Sequence, residues 1–343
     1  MEHSMRFATT IDGLFGHRPE VNVSPQVRYR HSYTDWYLIP KERYSIAPPN
    51  VKSNIVSIPA ADGGLDLSEA LTGYPVYENR EGYFEFYIDN EKILKNHMTG
   101  FPGGDLMWQG IETVWYEIYR DICNFLNGRV LYMLLEDDPR WIYHGRFTAG
   151  AYDASNGNFS AIKINYTLEP FKKLAWRNDG NWFFDALYTK ATNPTVNGFE
   201  SYDDKLPLIN PYNDIYVNGT VETPTVKKFR CGVMPVVPKI HLDVVAASEE
   251  DPEFTIKVTN NSVSTINYEI TIKPSDFEYV ESEKVYDGQT YNVKSFDLID
   301  RKIIFIDILH PSFLSHAAYA DMPSILTFTG EAFVSVDYDI GVL

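Results

Sequence analysis

Residues 108–170 read WQGIETVWYEIYRDICNFLNGRVLYMLLEDDPRWIYHGRFTAGAYDASNGNFSAIKINYTLEP. Apolar side chains recur at three and four positions through Met107, Ile111, Val114, Trp115, Ile118, Tyr119, Ile122, Phe125 and Leu126. That spacing predicts an amphipathic helix with Asp105 as N-cap and Gly128 as the C′ glycine. Past the helix the period changes. An apolar run, 130–135, stops at the acidic turn Glu136-Asp137-Asp138-Pro139, and an aromatic run follows over 141–147. The turn residues 155–158 then lead into 159–168, where Ile162, Ile164, Tyr166 and Leu168 share one face and Lys163, Asn165 and Thr167 the other. Period-two alternation marks strands, so this part of the chain reads as a sheet with one helix lying on it.

Working outward toward the N-terminus, residues 1–30 are polar and irregular and read as an arm or short strand. The stretch 36–52 carries Pro40 and the pair Pro48-Pro49, which fix φ and remove ladder donors, so it reads as an edge or wrapping segment. Residues 54–59 alternate as a strand, and Ala61-Asp62-Gly63-Gly64 reads as a tight turn. In 83–88, Phe84, Phe86 and Ile88 face one way while Tyr83, Glu85 and Tyr87 face the other. One face would pack a core and the other a neighbour.

Toward the C-terminus the composition shifts near residue 173. Residues 173–238 are rich in loop formers, and Pro235 and Pro238 bound a linker-like stretch. Short alternating strands follow at 254–258, 266–272, 302–307, 325–329 and 333–338, with turns at Asn260-Asn261, Asp287-Gly288 and Gly330-Glu331. The pattern is that of a β-sandwich or jelly roll. The expected architecture is mainly β, with a sheet and one packed helix over 1–172 and a C-terminal sandwich over 173–343 that begins with the loop-rich stretch 173–238.

A chain of 343 residues with 44% hydrophobic residues can bury a sizeable core. The formal net charge of −17 argues against a general nucleic-acid binder, which needs a basic face to displace counterions. Tyr at 24 and Phe at 20 favour strands and packed interfaces. No apolar run approaches the length of a membrane span and no export signal opens the chain. Cys123 and Cys231 stand 108 positions apart, with no metal or disulfide pattern, and read as buried small hydrophobes.

The carboxylates Glu136, Asp137 and Asp138 are the tempting catalytic cluster. General acid–base work on a glycosidic bond needs two carboxyls about 5 to 10 Å apart across a cleft, which three adjacent acids before a proline do not ensure. They read better as a solvated turn or an acidic rim. The histidines never stand at metal spacing, His310 and His316 included, and nucleotide-binding and hydrolase motifs are absent, so neither metal nor cofactor is expected. Arg80 and Arg146 are either interchain forks for carboxylates such as Asp137 or Asp138, or ordinary surface arginines. Trp176, Trp182 and Phe184 read as interdomain packing, or as a platform for a saccharide ring.

One ordered series of fragments spans about residues 30 to 172. It comprises Trp36-Tyr-Leu-Ile-Pro, Pro48-Pro-Asn-Val-Lys, Ile58-Pro-Ala-Ala-Asp-Gly-Gly-Leu-Asp-Leu-Ser-Glu-Ala-Leu-Thr-Gly73, and Asn79-Arg80 before an aromatic strand. It continues through Leu126-Asn-Gly, Leu135-Glu-Asp-Asp-Pro139, Tyr143-His-Gly-Arg146 and Glu169-Pro-Phe-Lys172. In this order the fragments resemble the N-terminal domain of the phage distal tail proteins, and the C-terminal half resembles that family's galectin-like or carbohydrate-module-like sandwich in strand pattern. The resemblance implies a non-enzymatic virion protein at the distal end of the tail, assembled in the host cytoplasm. It also implies a homohexameric ring between the tail tube protein above and a tail-associated hub or adsorption protein below. The sandwiches would hold receptor-binding proteins or touch host saccharides. A closed ring needs two different patches per subunit. The residues expected at that interface are Trp36, Leu38, Ile39, Arg80, Tyr83, Tyr87, Asp137, Asp138 and Arg146. The competing readings are a carbohydrate-binding or receptor-binding protein and, more weakly, a glycoside hydrolase using Glu136 with Asp137 or Asp138.

Overall fold

The computed structural model describes residues 3–15, 29–57, 64–97, 111–139, 141–155, 158–174, 215–229, 231–246, 251–308 and 324–343. In chain order the elements begin with β1 (Met5–Ala8), α1 (Ile11–Phe15), β2 (Tyr29–His31), β3 (Leu38–Pro40), β4 (Ile55–Ser57) and β5 (Gly64–Asp66). They continue with β6 (Arg80–Ile88), α2 (Asn90–His97), α3 (Ile111–Leu126), β7 (Val130–Leu135), β8 (Trp141–Ser155), β9 (Asn158–Leu168) and β10 (Lys172–Leu174). The remaining strands are β11 (Ile215–Gly219), β12 (Thr225–Phe229), β13 (Lys239–Val245), β14 (Phe254–Asn260), β15 (Asn267–Ile272), β16 (Val280–Tyr286), β17 (Gln289–Leu298), β18 (Ser324–Asp337) and β19 (Gly341–Val342). The chain forms two compact units, Met1–Lys52 with Tyr77–Ala175, and Ser53–Val76 with Trp176–Leu343. Thus residues 53–76, expected within the N-terminal domain, group with the second unit.

The first unit is an antiparallel sheet in the order β2-β1-β7-β8-β9-β6-β3, with β10 paired to the start of β8. As the periodicity predicts, α3 lies on it. Val114, Trp115, Ile118, Ile122 and Leu126 are buried against Phe7, Leu131, Met133, Phe147, Ile162, Ile164, Phe84 and Phe86. At roughly 1.5 to 3 kcal/mol for each large apolar side chain taken out of water, that stripe holds the layer together. Asp121 adds a polar clasp on α3. Its carboxylate accepts from the Trp36 indole at 2.9 Å and from Arg30 at 2.8 Å, while Trp36 packs on Phe7 and Phe125. The Asp105 cap lies outside the described residues, and the exit turn follows at Asn127-Gly128, with φ of 32° and 63°.

Of the two readings of residues 1–30, arm or short strand, the short strand holds in β1, which lies in the sheet interior between β2 and β7 with Met5, Phe7 and Ala8 fully buried. Four residues are too few for alternation to rise above noise. The short helices α1 and α2 join the expected α3. Helix α1 covers the opposite face of the sheet at one end, over Ala8, Leu134 and Ile142. The expected edge character of 36–52 appears in β3, the terminal strand of the sheet.

The second unit is a β-sandwich whose two sheets share β18. Residues Ser324 to Thr329 of β18 pair with β12 and β14, and residues Ala332 to Asp337 pair with β13, with β11 paired over Gly330 to Val334. What reads in sequence as two strands around a Gly330-Glu331 turn is one strand bent between layers, as at the corners of sandwiches. The core between the layers holds Phe229, Phe254, Phe305, Phe328, Leu242 and Val334. The expected strand at 302–307 is instead an isolated bridge, with Phe305 and Val236 exchanging backbone bonds of 2.8 and 2.9 Å. Ile303, Phe305 and Ile306 are buried, so the apolar pattern is real but reflects burial without a ladder. The Asp287-Gly288 turn does close the β16–β17 hairpin with both φ positive, the type I′ geometry that matches strand twist.

Gly330 bends at φ 110°, and a Cβ there would stand 2.7 Å from Phe254 Cδ2. Gly288 has φ 76° and open space around it. Gly288→Ala should therefore cost only the backbone term, about 1 to 2 kcal/mol. Gly330→Ala should add an overpacking term of about 1 to 3 kcal/mol. Denaturant melts of the two variants check the ranking, which equal losses would refute.

Candidate functional site

Strand β6 decides where the surface chemistry lies. Its even positions Arg80, Phe84, Phe86 and Ile88 are buried, the last three in the core shared with α3, and its odd positions turn out. Tyr83 is 55% and Tyr87 47% exposed, high values for tyrosines in the body of a sheet. The register extends this face across neighbouring strands. Ile39 of β3 stands opposite Tyr87, Glu85 opposite Lys163, Tyr83 beside Asn165 and Thr148, and Glu81 beside Thr167, Arg146 and Val130. Lys163 Nζ lies 4.5 Å from the Tyr83 ring centre and Lys41 5.8 Å from that of Tyr87, while Lys41 also pairs with Glu85 at 3.3 Å. The result is an open platform of two tyrosines and two aliphatic side chains, with cations set among them. Neither lysine stands in a motif that marks it in sequence, although the alternation of 159–168 places Lys163 on the outer face.

The other expected contact residues divide. Ile39 joins Tyr83 and Tyr87 on the platform, and Arg146 lies there too, its guanidinium donating to the Gly128 carbonyl at the end of α3. Trp36 and Leu38 are fully buried and hold the core. Arg80 is buried as well. Its Nε and Nη2 donate to the Pro170 carbonyl at 2.9 and 2.6 Å, and its Nη1 donates to the Ala47 carbonyl at 3.2 Å. It therefore staples the proline-rich segment to the sheet. A groove of about 610 Å3 runs beside it, lined by Pro48, Lys52, Glu78 and Glu81 among others.

The acidic turn is satisfied within its own chain. Glu136 accepts from Arg6 Nε and Nη2 at 2.9 and 2.8 Å and from the Ser4 hydroxyl, and it lies 3.1 Å from His31 Nε2. Asp137 meets His3 Nδ1 at 2.5 Å and the His3 backbone N–H at 3.1 Å. Asp138 lies 3.7 Å from Lys172 Nζ. Three adjacent acids therefore point at three different partners rather than across one cleft. Burial raises the Glu136 pKa, but the hydrogen bonds from Ser4 and Arg6 and the positive charge of His31 and Arg6 outweigh it, leaving the carboxyl below its ordinary value.

No protein-family model matches the chain, and no curated protein does. Among solved structures, the chain is similar to the SPP1 Dit (gp 19.1) protein, described as a paradigm of the hub adsorption apparatus in Gram-positive infecting phages. The identity is 14% and the TM-score 0.44, over 91% of this chain and 96% of that one.

Trp176, Trp182 and Phe184, and likewise His310 and His316, lie outside the described residues. Among the described residues no group of three His, Cys, Asp or Glu side chains could hold a metal ion, and no helix is long and apolar enough to cross a membrane. Cys231 is buried beside the Ser324 hydroxyl at 3.2 Å, and burial pushes its thiol up to about 12, so it behaves as the inert hydrophobe expected. Cys123 is partly buried.

The Glu136 pairs tie β1 to the sheet, and their pH dependence has a definite sign. A carboxyl held below its unfolded value, ordinarily 4.5, contributes stability that is fully present above that value and lost as pH falls through the lower folded one. Urea melts of the wild type should lose stability over that acid range. Glu136→Gln should be less stable at neutral pH by about 1 to 3 kcal/mol and flatter below pH 4.5. Identical pH profiles for the two proteins would refute the assignment.

Proposed function

We propose that this chain is a structural subunit of the tail tip of a long-tailed phage. Its first unit would close a homohexameric ring between the tail tube and the adsorption hub, at the distal end of the virion. The ordered resemblance over about residues 30 to 172 supports the family. The observation that carries the assembly role is the outer face of β6, β9 and β3, where Tyr83, Tyr87 and Ile39 stay exposed on a regular sheet. Aromatic residues ringed by charge, on a rigid support, are what protein interfaces enrich. The internal pairing of Glu136, Asp137 and Asp138 favours this reading over glycoside hydrolysis, since no two of them are left to face a substrate from opposite sides.

In a head-to-tail ring the platform would meet a different patch of the neighbouring chain, which is the heterologous arrangement that closure needs. The tube protein and the hub protein would then bind the two rims. The second unit would carry receptor-binding proteins or meet host saccharides. Its outer surface has an aromatic group suited to such contact, with Tyr286 stacked on Tyr216 at 5.2 Å above the buried Phe333.

Light scattering of the purified protein should give six times the 39.3 kDa chain mass, with rings in negative stain. Tyr83→Ser with Tyr87→Ser should weaken assembly by about 10- to 1,000-fold, at roughly 1 to 2 kcal/mol or more for each interface tyrosine, with an unchanged circular dichroism spectrum. A wild-type chain that stays monomeric at micromolar concentration would overturn the reading.

A further inference from the structure

Among the described residues, the strands β4 and β5 pair only with each other, Val56 opposite Leu65 and Ile55 opposite Asp66. The ribbon is closed at its base by Leu67 N–H to the Asn54 carbonyl and by Asn54 N–H to Ser68 Oγ, both 2.8 Å. Past the base the chain is anchored. Tyr74 packs into the core of the second unit, and the Thr265 hydroxyl donates to the Thr72 carbonyl at 3.4 Å. The ribbon itself is bare. Ile55 is 64% exposed, Leu65 50%, Val56 45% and Leu71 fully exposed. A lone two-stranded ribbon is marginal in water, and large apolar side chains on both of its faces mark a surface that is covered in use.

The charges indicate what covers it. The ribbon and its following turn carry Asp66 and Glu69, and Glu69 has no ion pair among the described residues. The tyrosine platform presents Lys163 and Arg146, which likewise have no carboxylate partner among the described residues. Their presence beside exposed aromatics fits an acidic, apolar segment arriving from outside. We propose that the β4–β5 ribbon of one copy docks on the Ile39–Tyr83–Tyr87 platform of the next. Ile55, Val56 and Leu65 would cover the tyrosines, and Asp66 and Glu69 would meet Lys163 and Arg146. This rests on the ring reading above and supplies its second patch, since ribbon and platform are different surfaces and every copy offers one of each.

The test uses two full-length variants. The ribbon variant, Ile55→Ser with Val56→Ser and Leu65→Ser, keeps an intact platform. The platform variant, Tyr83→Ser with Tyr87→Ser, keeps an intact ribbon. Each alone should sediment as a monomer, and an equimolar mixture should form a one-to-one dimer and nothing larger, because only one functional junction can form. Dimer formation also shows that both variants are folded. If the wild type forms the ring but the ribbon variant does so too, or the mixture yields no dimer at sub-millimolar concentration, the ribbon–platform contact is overturned and the ring reading stands. A monomeric wild type would overturn the ring reading, and this contact with it.

Discussion

The burial of α3 against one face of the first sheet is the constraint on which the rest of that unit depends. Once Trp115, Ile118 and Ile122 occupy that face, every strand beneath them must present its apolar set inward. A strand has period two, so each neighbouring residue is sent the other way. Phe84 and Phe86 become core and Tyr83 and Tyr87 become surface by the same geometry. Helix α1 covers the opposite face over Ala8, Leu134 and Ile142. Among the described residues, Ile39, Tyr83 and Tyr87 on the outer side of β3 and β6 stay exposed.

The acidic turn shows how strand pairing reassigns chemistry. Glu136, Asp137 and Asp138 follow β7, and β1 runs antiparallel beside β7 with Met5 opposite Leu135. That register carries His3, Ser4 and Arg6 to the acids from 130 to 134 positions away. A carboxylate beside a guanidinium and a hydroxyl is a stable clasp and a poor general acid, because the charged form is the favoured one. Arg80 follows the same logic. Its place on the buried face of β6 turns a candidate surface fork into an internal staple between Ala47 and Pro170.

In the second unit the corresponding constraint is the bend of β18. One strand serves two layers, and the chain passes between them at Gly330, where a side chain would meet Phe254. Even positions stay buried on both sides of the bend, Leu326 and Phe328 before it and Ala332, Val334 and Val336 after it, while Gly330-Glu331 between them has the look of a turn in sequence. The buried 302–307 run shows the reverse effect, an apolar run without a ladder, held by a single bridge to Val236.

Local pattern alone set the helix over 111–126, most of the strands with clear alternation, the Asp287-Gly288 hairpin and the division of β6 into two faces. These are local properties set by side-chain period and turn stereochemistry, and they need no knowledge of what lies across the sheet. Tertiary structure decided that Trp36, Leu38 and Arg80 are interior, that the three acids are already paired, and that residues 53–76 leave the first unit for the second. Each of these depends on partners distant in sequence. Whether a charged or aromatic residue is buried, paired or free is fixed by strand register and layer packing, which bring together residues that no local pattern relates.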